Sequence, residues 1–126
     1  MKYLLDTHIL LWWLGNNPSL KPQARELIAN PNNAIFLSAV TLWEIWLKQS
    51  IGKLTLPVDF EPRLAKEGFE SLPLSSEHTK IVSTLPWHHR DPFDRMLVAQ
   101  AMATNFKLLT VDKEIAKYGE MTLLLP

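Results

Sequence analysis

Apolar residues in this chain come in two rhythms. Short runs of strand length, KYLL (2–5) and AIFLS (34–38), are bounded by turn or polar residues. FESLP (69–73), KLLTVD (107–112) and MTLLL (121–125) complete a set of five candidate strands. Between them the spacing is helical. Thr7–Leu14 is stopped by Gly15-Asn16-Asn17-Pro18, and a second helix starts near Pro22 with Ala24, Leu27 and Ile28 on one face. A third helix, capped by Ser38 or Thr41, runs to about Ser50 with Gly52 just beyond. DFEPRLAKEG (59–68), SSEHTKIVSTL (75–85), Pro92 to about Asn105, and EIAKYG (114–119) read as further helical segments, and WHHRDPFD (87–94) as a polar loop entering the helix at Pro92. Strands alternating with helices predict an α/β sandwich around a mainly parallel sheet, with residues 1–126 as one domain.

Composition narrows the picture by exclusion. Hydrophobic residues make up 47% of the chain, which is globular rather than disordered. Without cysteine there is neither a disulfide framework nor a thiolate metal site, which fits a reducing cytoplasm. No apolar run approaches the roughly 20 residues of a membrane span, and Asp6 and His8 break the apolar start that a signal peptide needs. Thirteen basic and thirteen acidic residues balance, so a phosphate-backbone partner would have to be held by a local basic patch or by bound metal ions.

The aspartates change this bland reading. In open parallel sheets, ligands bind outside the carboxyl ends of the strands. Asp6 directly follows the first strand and Asp112 ends the fourth, so both are expected on one rim. Asp91 and Asp94 flank the start of the helix at Pro92, and only Asp59 falls outside the set. Taken singly, each reads as a cap or turn residue, and the case for a site rests on their convergence. Glu44 adds a carboxylate among Trp43, Ile45 and Trp46. It reads either as a capping box with Thr41 or an ion pair with Lys48, or as an inward ligand for a cation. Converging carboxylates repel one another unless a cation neutralises them, and hard oxygen donors suit magnesium or manganese. Such a site is suited to phosphodiester hydrolysis by a metal-activated water.

YLLDTHILLWWL, LSAVTLWEIWLK, HHRDPFDRMLVAQA and LLTVD, in this order over nearly the whole chain, resemble the PIN-domain ribonucleases, especially the VapC-type toxins of toxin–antitoxin pairs. The resemblance implies a three-layer sandwich with strand order 3-2-1-4-5. It implies RNA cleavage dependent on one or two Mg2+ or Mn2+ ions, a cognate antitoxin and a homodimer. Its acidic quartet falls on Asp6, Glu44, Asp94 and Asp112 as catalytic metal ligands, with Asp91 a further ligand or a helix cap.

Around the quartet, Thr7 and Thr110 are candidates to orient Asp6 and Asp112 by hydroxyl hydrogen bonds. His88, His89, Arg90 and Arg95 give the preceding loop a local positive character suited to RNA phosphate, or else to ion pairs with Asp91 and Asp94. His88 and His89 are also options for acid–base help. The five tryptophans read as core or contact surface, with Trp12 and Trp13 part of a dimer or antitoxin groove and Trp87 open to base stacking. Two competing readings remain: a PIN-fold protein that binds without cutting, and a flavodoxin-like phosphoacceptor module. The latter lacks the acidic pair after strand one and the lysine after the last strand.

Overall fold

The computed structural model describes residues 1–126. Its elements run β1 (Lys2–Leu5), α1 (Thr7–Leu14), α2 (Pro22–Ala29), β2 (Ala34–Ser38), α3 (Ala39–Ser50), α4 (Phe60–Lys66), β3 (Glu70–Leu72), α5 (Ser76–Val82), α6 (Pro92–Thr104), β4 (Lys107–Thr110), α7 (Lys113–Ala116) and β5 (Thr122–Leu124). The strands form one sheet in the order β3-β2-β1-β4-β5, and every neighbouring pair is parallel. A flavodoxin-like sheet would run 2-1-3-4-5, so the phosphoacceptor reading fails on topology. No helix is long and apolar enough to cross a membrane.

Side-chain alternation along a strand explains why the central runs are apolar throughout rather than at every second position. Tyr3 and Leu5 of β1, with Leu109 of β4, face a core built with Ile9, Leu10 and Leu14 of α1, Ile28 of α2 and Ile45 of α3. Leu4 and Leu108 point the other way, into a core with Leu97, Val98 and Ala101 of α6 and Ile115 of α7. Both faces of the sheet are thus covered. The pairing Leu5↔Leu109 brings the carboxyl ends of β1 and β4 side by side.

Caps set where the helices begin. Ser38, not Thr41, caps α3: its hydroxyl oxygen accepts the Val40 N–H at 3.0 Å, while Thr41 lies inside the helix. The Ser38 hydroxyl in turn donates to Oε1 of Gln100, a fully buried residue of α6. The Gln100 amide continues to the Pro73 carbonyl at 3.4 Å and approaches His78 Nδ1 at 3.3 Å. One buried polar chain therefore ties β2, α6 and the start of α5. Asn105, in the left-handed region at φ 63°, ends α6 and returns the chain to β4.

Ser38→Ala removes a helix cap and strands the buried Gln100 carbonyl oxygen. It is expected to cost about 1–3 kcal/mol in urea unfolding. A loss within about 0.5 kcal/mol, the scatter of neutral surface changes, would mean that this chain does not support the fold.

Candidate active site

The parallel sheet delivers Asp6 and Thr110 to the same edge, one position beyond the paired Leu5 and Leu109. Asp6 caps α1 with Oδ1, which accepts the Ile9 N–H at 2.9 Å. Its Oδ2 accepts the Thr110 hydroxyl at 2.6 Å. The oxygen of Thr110 also accepts the Asp112 N–H at 3.0 Å, so one threonine at the end of β4 ties both aspartates. Asp6 is 2% exposed. Burial pushes its carboxyl above the ordinary range against the lowering effect of the Thr110 and Ile9 hydrogen bonds.

Glu44 reaches the site from α3 and is 3% exposed. Oε1 accepts the Thr7 hydroxyl at 2.7 Å, and Oε2 takes the ammonium of Lys48 one turn on. The ion pair is the one expected from the i,i+4 spacing, whereas the capping box with Thr41 does not form. The hydrogen bond to Glu44 raises the Lys48 pKa. The two threonines differ from the sequence expectation. Thr7 holds Glu44 instead of Asp6, because the first turn of α1 faces α3. The Thr110 hydroxyl proton goes to Asp6 instead of Asp112, because β4 lies directly beside β1.

Asp94 comes from the first turn of α6. Asp91 caps that helix, with Oδ1 accepting the N–H groups of Phe93 at 2.8 Å and of Asp94 at 3.3 Å. Asp94 has no such donors to its own carboxylate and faces like charges. Burial, then repulsion from Asp91, Asp6 and Glu44, pushes its pKa up to about 7, with His89 opposing. Asp112 shows the reverse balance. Burial raises its pKa, but the Glu114 N–H, His89 and the Ile115 N–H together bring it below the ordinary value.

The loop before α6 divides its basic residues. The Asp91 N–H donates to His89 Nδ1 at 3.0 Å, which places the proton of the neutral ring on Nε2. Nε2 lies 3.1 Å from Asp112 Oδ2 and 3.4 Å from Asp94 Oδ2. Arg95, expected at the phosphate, is instead 4% exposed. One residue along α6 from Asp94, it points away from the carboxylates. It donates to the carbonyls of Pro86, Val82 and Leu85 and to the Tyr118 hydroxyl. The His88 ring packs edge-on against Tyr118, and Arg90 stays exposed. Tyr118 has no signal in its local sequence, since its partners lie 23–32 residues away.

The donor set fits a hard divalent cation. Carboxylate oxygens of Asp94 and Asp112 lie within 4.8 Å of each other and of the His89 ring, whose protonated Nε2 stands between them as a hydrogen-bond donor and not as a ligand. Asp6 and Glu44 are close enough to act on Asp94 electrostatically, adding to the effect of burial on its pKa. The pocket beside Glu44, about 190 Å³, is lined by Thr7, His8, Leu11, Lys48, Lys53 and Leu54 among others.

Fold and rim together define a five-stranded parallel α/β protein with a carboxylate cluster at the strand ends. The chain belongs to the PIN-domain family, whose model matches residues 3–121. Among solved structures it is similar to VapBC2 of Rickettsia felis bound to a DNA fragment from its promoter, at 21% identity and TM-score 0.72, covering 99% of this chain and 98% of that one. A toxin–antitoxin complex of Klebsiella pneumoniae matches at 21% identity and TM-score 0.65, covering 96% and 95%. VapBC-1 of nontypeable Haemophilus influenzae matches at 19% identity and TM-score 0.66, covering 94% and 92%. No curated protein matches the chain in sequence.

The pH dependence of stability follows from Asp94. Its folded pKa lies above the unfolded value, so the folded chain keeps a proton that the unfolded chain releases between about pH 4 and pH 7. The metal-free protein therefore loses stability as pH rises through this window. In EDTA, Asp94→Asn is expected to raise the melting temperature above that of the native chain at pH 8 and to leave it unchanged at pH 4. Equal gains at both pH values would show that charge repulsion is not the cause.

Proposed function

We propose that this chain is a VapC-type toxin, a cytoplasmic endoribonuclease dependent on Mg2+ or Mn2+. The observation that supports the proposal is the approach of the Asp94 and Asp112 carboxylates near the carboxyl ends of the strands, with Asp6 and Glu44 close enough to act on Asp94 electrostatically. Asp6, Glu44, Asp94 and Asp112 would hold one or two ions, with Asp91 retained as the helix cap. The bound metal supplies positive charge to the phosphoryl oxygens and acidifies the attacking water.

The chain's own groups do the rest. Thr110 orients Asp6, and Thr7 and Lys48 orient Glu44, so that each carboxylate presents a fixed lone pair. His89, with its Nε2 proton fixed by the Asp91 N–H, donates toward Asp112 and holds that carboxylate at the mouth of the site. The partners proposed are an RNA substrate, a cognate antitoxin and a second copy of the chain. Support for the antitoxin is the fold likeness to VapBC and toxin–antitoxin complexes. Exposed Trp43, Leu47 and Ile51 along α3 and just beyond it support a covered surface.

Incubation of mixed RNA with Mg2+ or Mn2+, with EDTA, and with Asp94→Asn tests the reading. Cutting should require metal and should be abolished by the substitution. Cutting that survives both would exclude this site, and a biological effect intact in Asp94→Asn would make the protein a binder rather than a nuclease. Thr110→Val, which frees Asp6 without removing a carboxylate, should lower metal affinity and cleavage about 10–100-fold. Unchanged metal titration by calorimetry would remove Thr110 from the site.

A further inference from the structure

We propose that Trp87 is a stacking platform for one unpaired nucleobase of RNA held at the acidic rim, with Arg90 taking a neighbouring phosphate; the proposal rests on the nuclease reading above. Trp87 is 75% exposed, a costly position for the largest apolar side chain. It is nevertheless not loose. One face of the indole lies over the Arg95 guanidinium, 3.7 Å from the ring centre. That guanidinium is itself immobilised by the carbonyls of Val82, Leu85 and Pro86 and by the Tyr118 hydroxyl.

The backbone on either side of the indole is pinned by the same group. The Tyr118 hydroxyl donates to the Pro86 carbonyl at 2.7 Å and accepts the His89 N–H at 3.2 Å. A ring backed by a fixed cation and held on a fixed loop loses little freedom when a base stacks on its outer face. Two residues of chain, at most about 7 Å, separate Trp87 from His89, whose ring touches Asp94 and Asp112. A strand held at the carboxylates can therefore reach Trp87 within a few nucleotides.

Charge and surroundings select the ligand class. Arg90 is exposed and makes no ion pair or side-chain hydrogen bond, in contrast to Arg95. An aromatic face and a free guanidinium three residues apart match the alternation of base and phosphate in a single strand. A protein interface would ask for apolar neighbours, but Thr84, Pro86, His88 and Arg90 around Trp87 are exposed and mostly polar. The exposed Trp43 of α3 has apolar neighbours on its own surface, Leu47 and Ile51, which Trp87 lacks.

The test is fluorescence-anisotropy binding in Mg2+ with cleavage disabled by Asp94→Asn, using oligoadenylate of about twelve nucleotides and an abasic chain of equal length. Adding Trp87→Leu should weaken oligoadenylate binding about tenfold, and adding Trp87→Phe should restore most of it. The abasic chain should bind the parent and the Trp87→Leu variant equally weakly. Equal oligoadenylate affinity of the two proteins would overturn the proposal, as would an equal loss on the abasic chain. Absence of oligoadenylate binding by the parent would also overturn it, leaving the nuclease reading to the cutting assay. Were Trp87→Leu not to fold, the difference between oligoadenylate and abasic chain on the parent and on Trp87→Phe decides the same question. A change confined to self-association in sedimentation would make Trp87 a protein contact and refute base stacking.

Discussion

Like charges held together in a poorly solvated place push each other apart, and the carboxylate rim has to be held against that force. Each acid meets the problem differently. Asp6 receives a backbone N–H and the Thr110 hydroxyl. Glu44 is balanced by Thr7 and the Lys48 ammonium, and Asp112 by the Glu114 N–H and the His89 ring. Asp94 has only the His89 ring at 3.4 Å to oppose the effect, and burial, then repulsion from Asp91, Asp6 and Glu44, pushes its carboxyl up to about 7. Three of the acids are anchored by their own hydrogen-bond donors, and the fourth carries most of the cost of burial and repulsion.

The parallel sheet makes this arrangement possible with short connections. Every strand ends at the same edge, so residues 104 positions apart, Asp6 and Thr110, meet through the simple adjacency of β1 and β4. The two apolar cores on either side of the sheet hold that edge rigid. Their residues come from the alternating faces of the same strands, Leu5 and Leu109 on one side, Leu4 and Leu108 on the other. A shift of one position in β1 against β4 would exchange both faces and separate Asp6 from Thr110.

The loop before α6 links this rim to its flank. Successive residues on a helix point about 100° apart, so Asp94 turns to the carboxylates while Arg95 turns into the loop. Arg95 then donates to the carbonyls of Val82, Leu85 and Pro86, tying the end of α5 and the loop after it to α6. Tyr118, between α7 and β5, closes the same network from the far side of the chain. His89 is fixed by the network, and through it so is the position of Asp112.

Local signals were enough to read the strand–helix alternation and the placement of Asp6 and Asp112 at strand ends, and they offered the cap at Asp91 and the i,i+4 pair of Glu44 with Lys48 among open alternatives. These depend on periodicity, capping chemistry and side-chain spacing, which act over a few residues. The third helix was legible only as starting at Ser38 or Thr41, and the choice fell to Gln100, a buried group 62 residues away that the Ser38 hydroxyl reaches. Thr7 and Thr110 were legible as hydroxyls beside aspartates, yet which carboxylate each serves depends on what packs across from it. Arg95 read as a surface cation in a basic loop and is a buried tie, because the carbonyls it satisfies and the hydroxyl of Tyr118 converge only when the chain is folded. Sequence by itself determined which residue types end which elements; tertiary structure decided their partners, since hydrogen bonds and charge repulsion depend on distance in space and not along the chain.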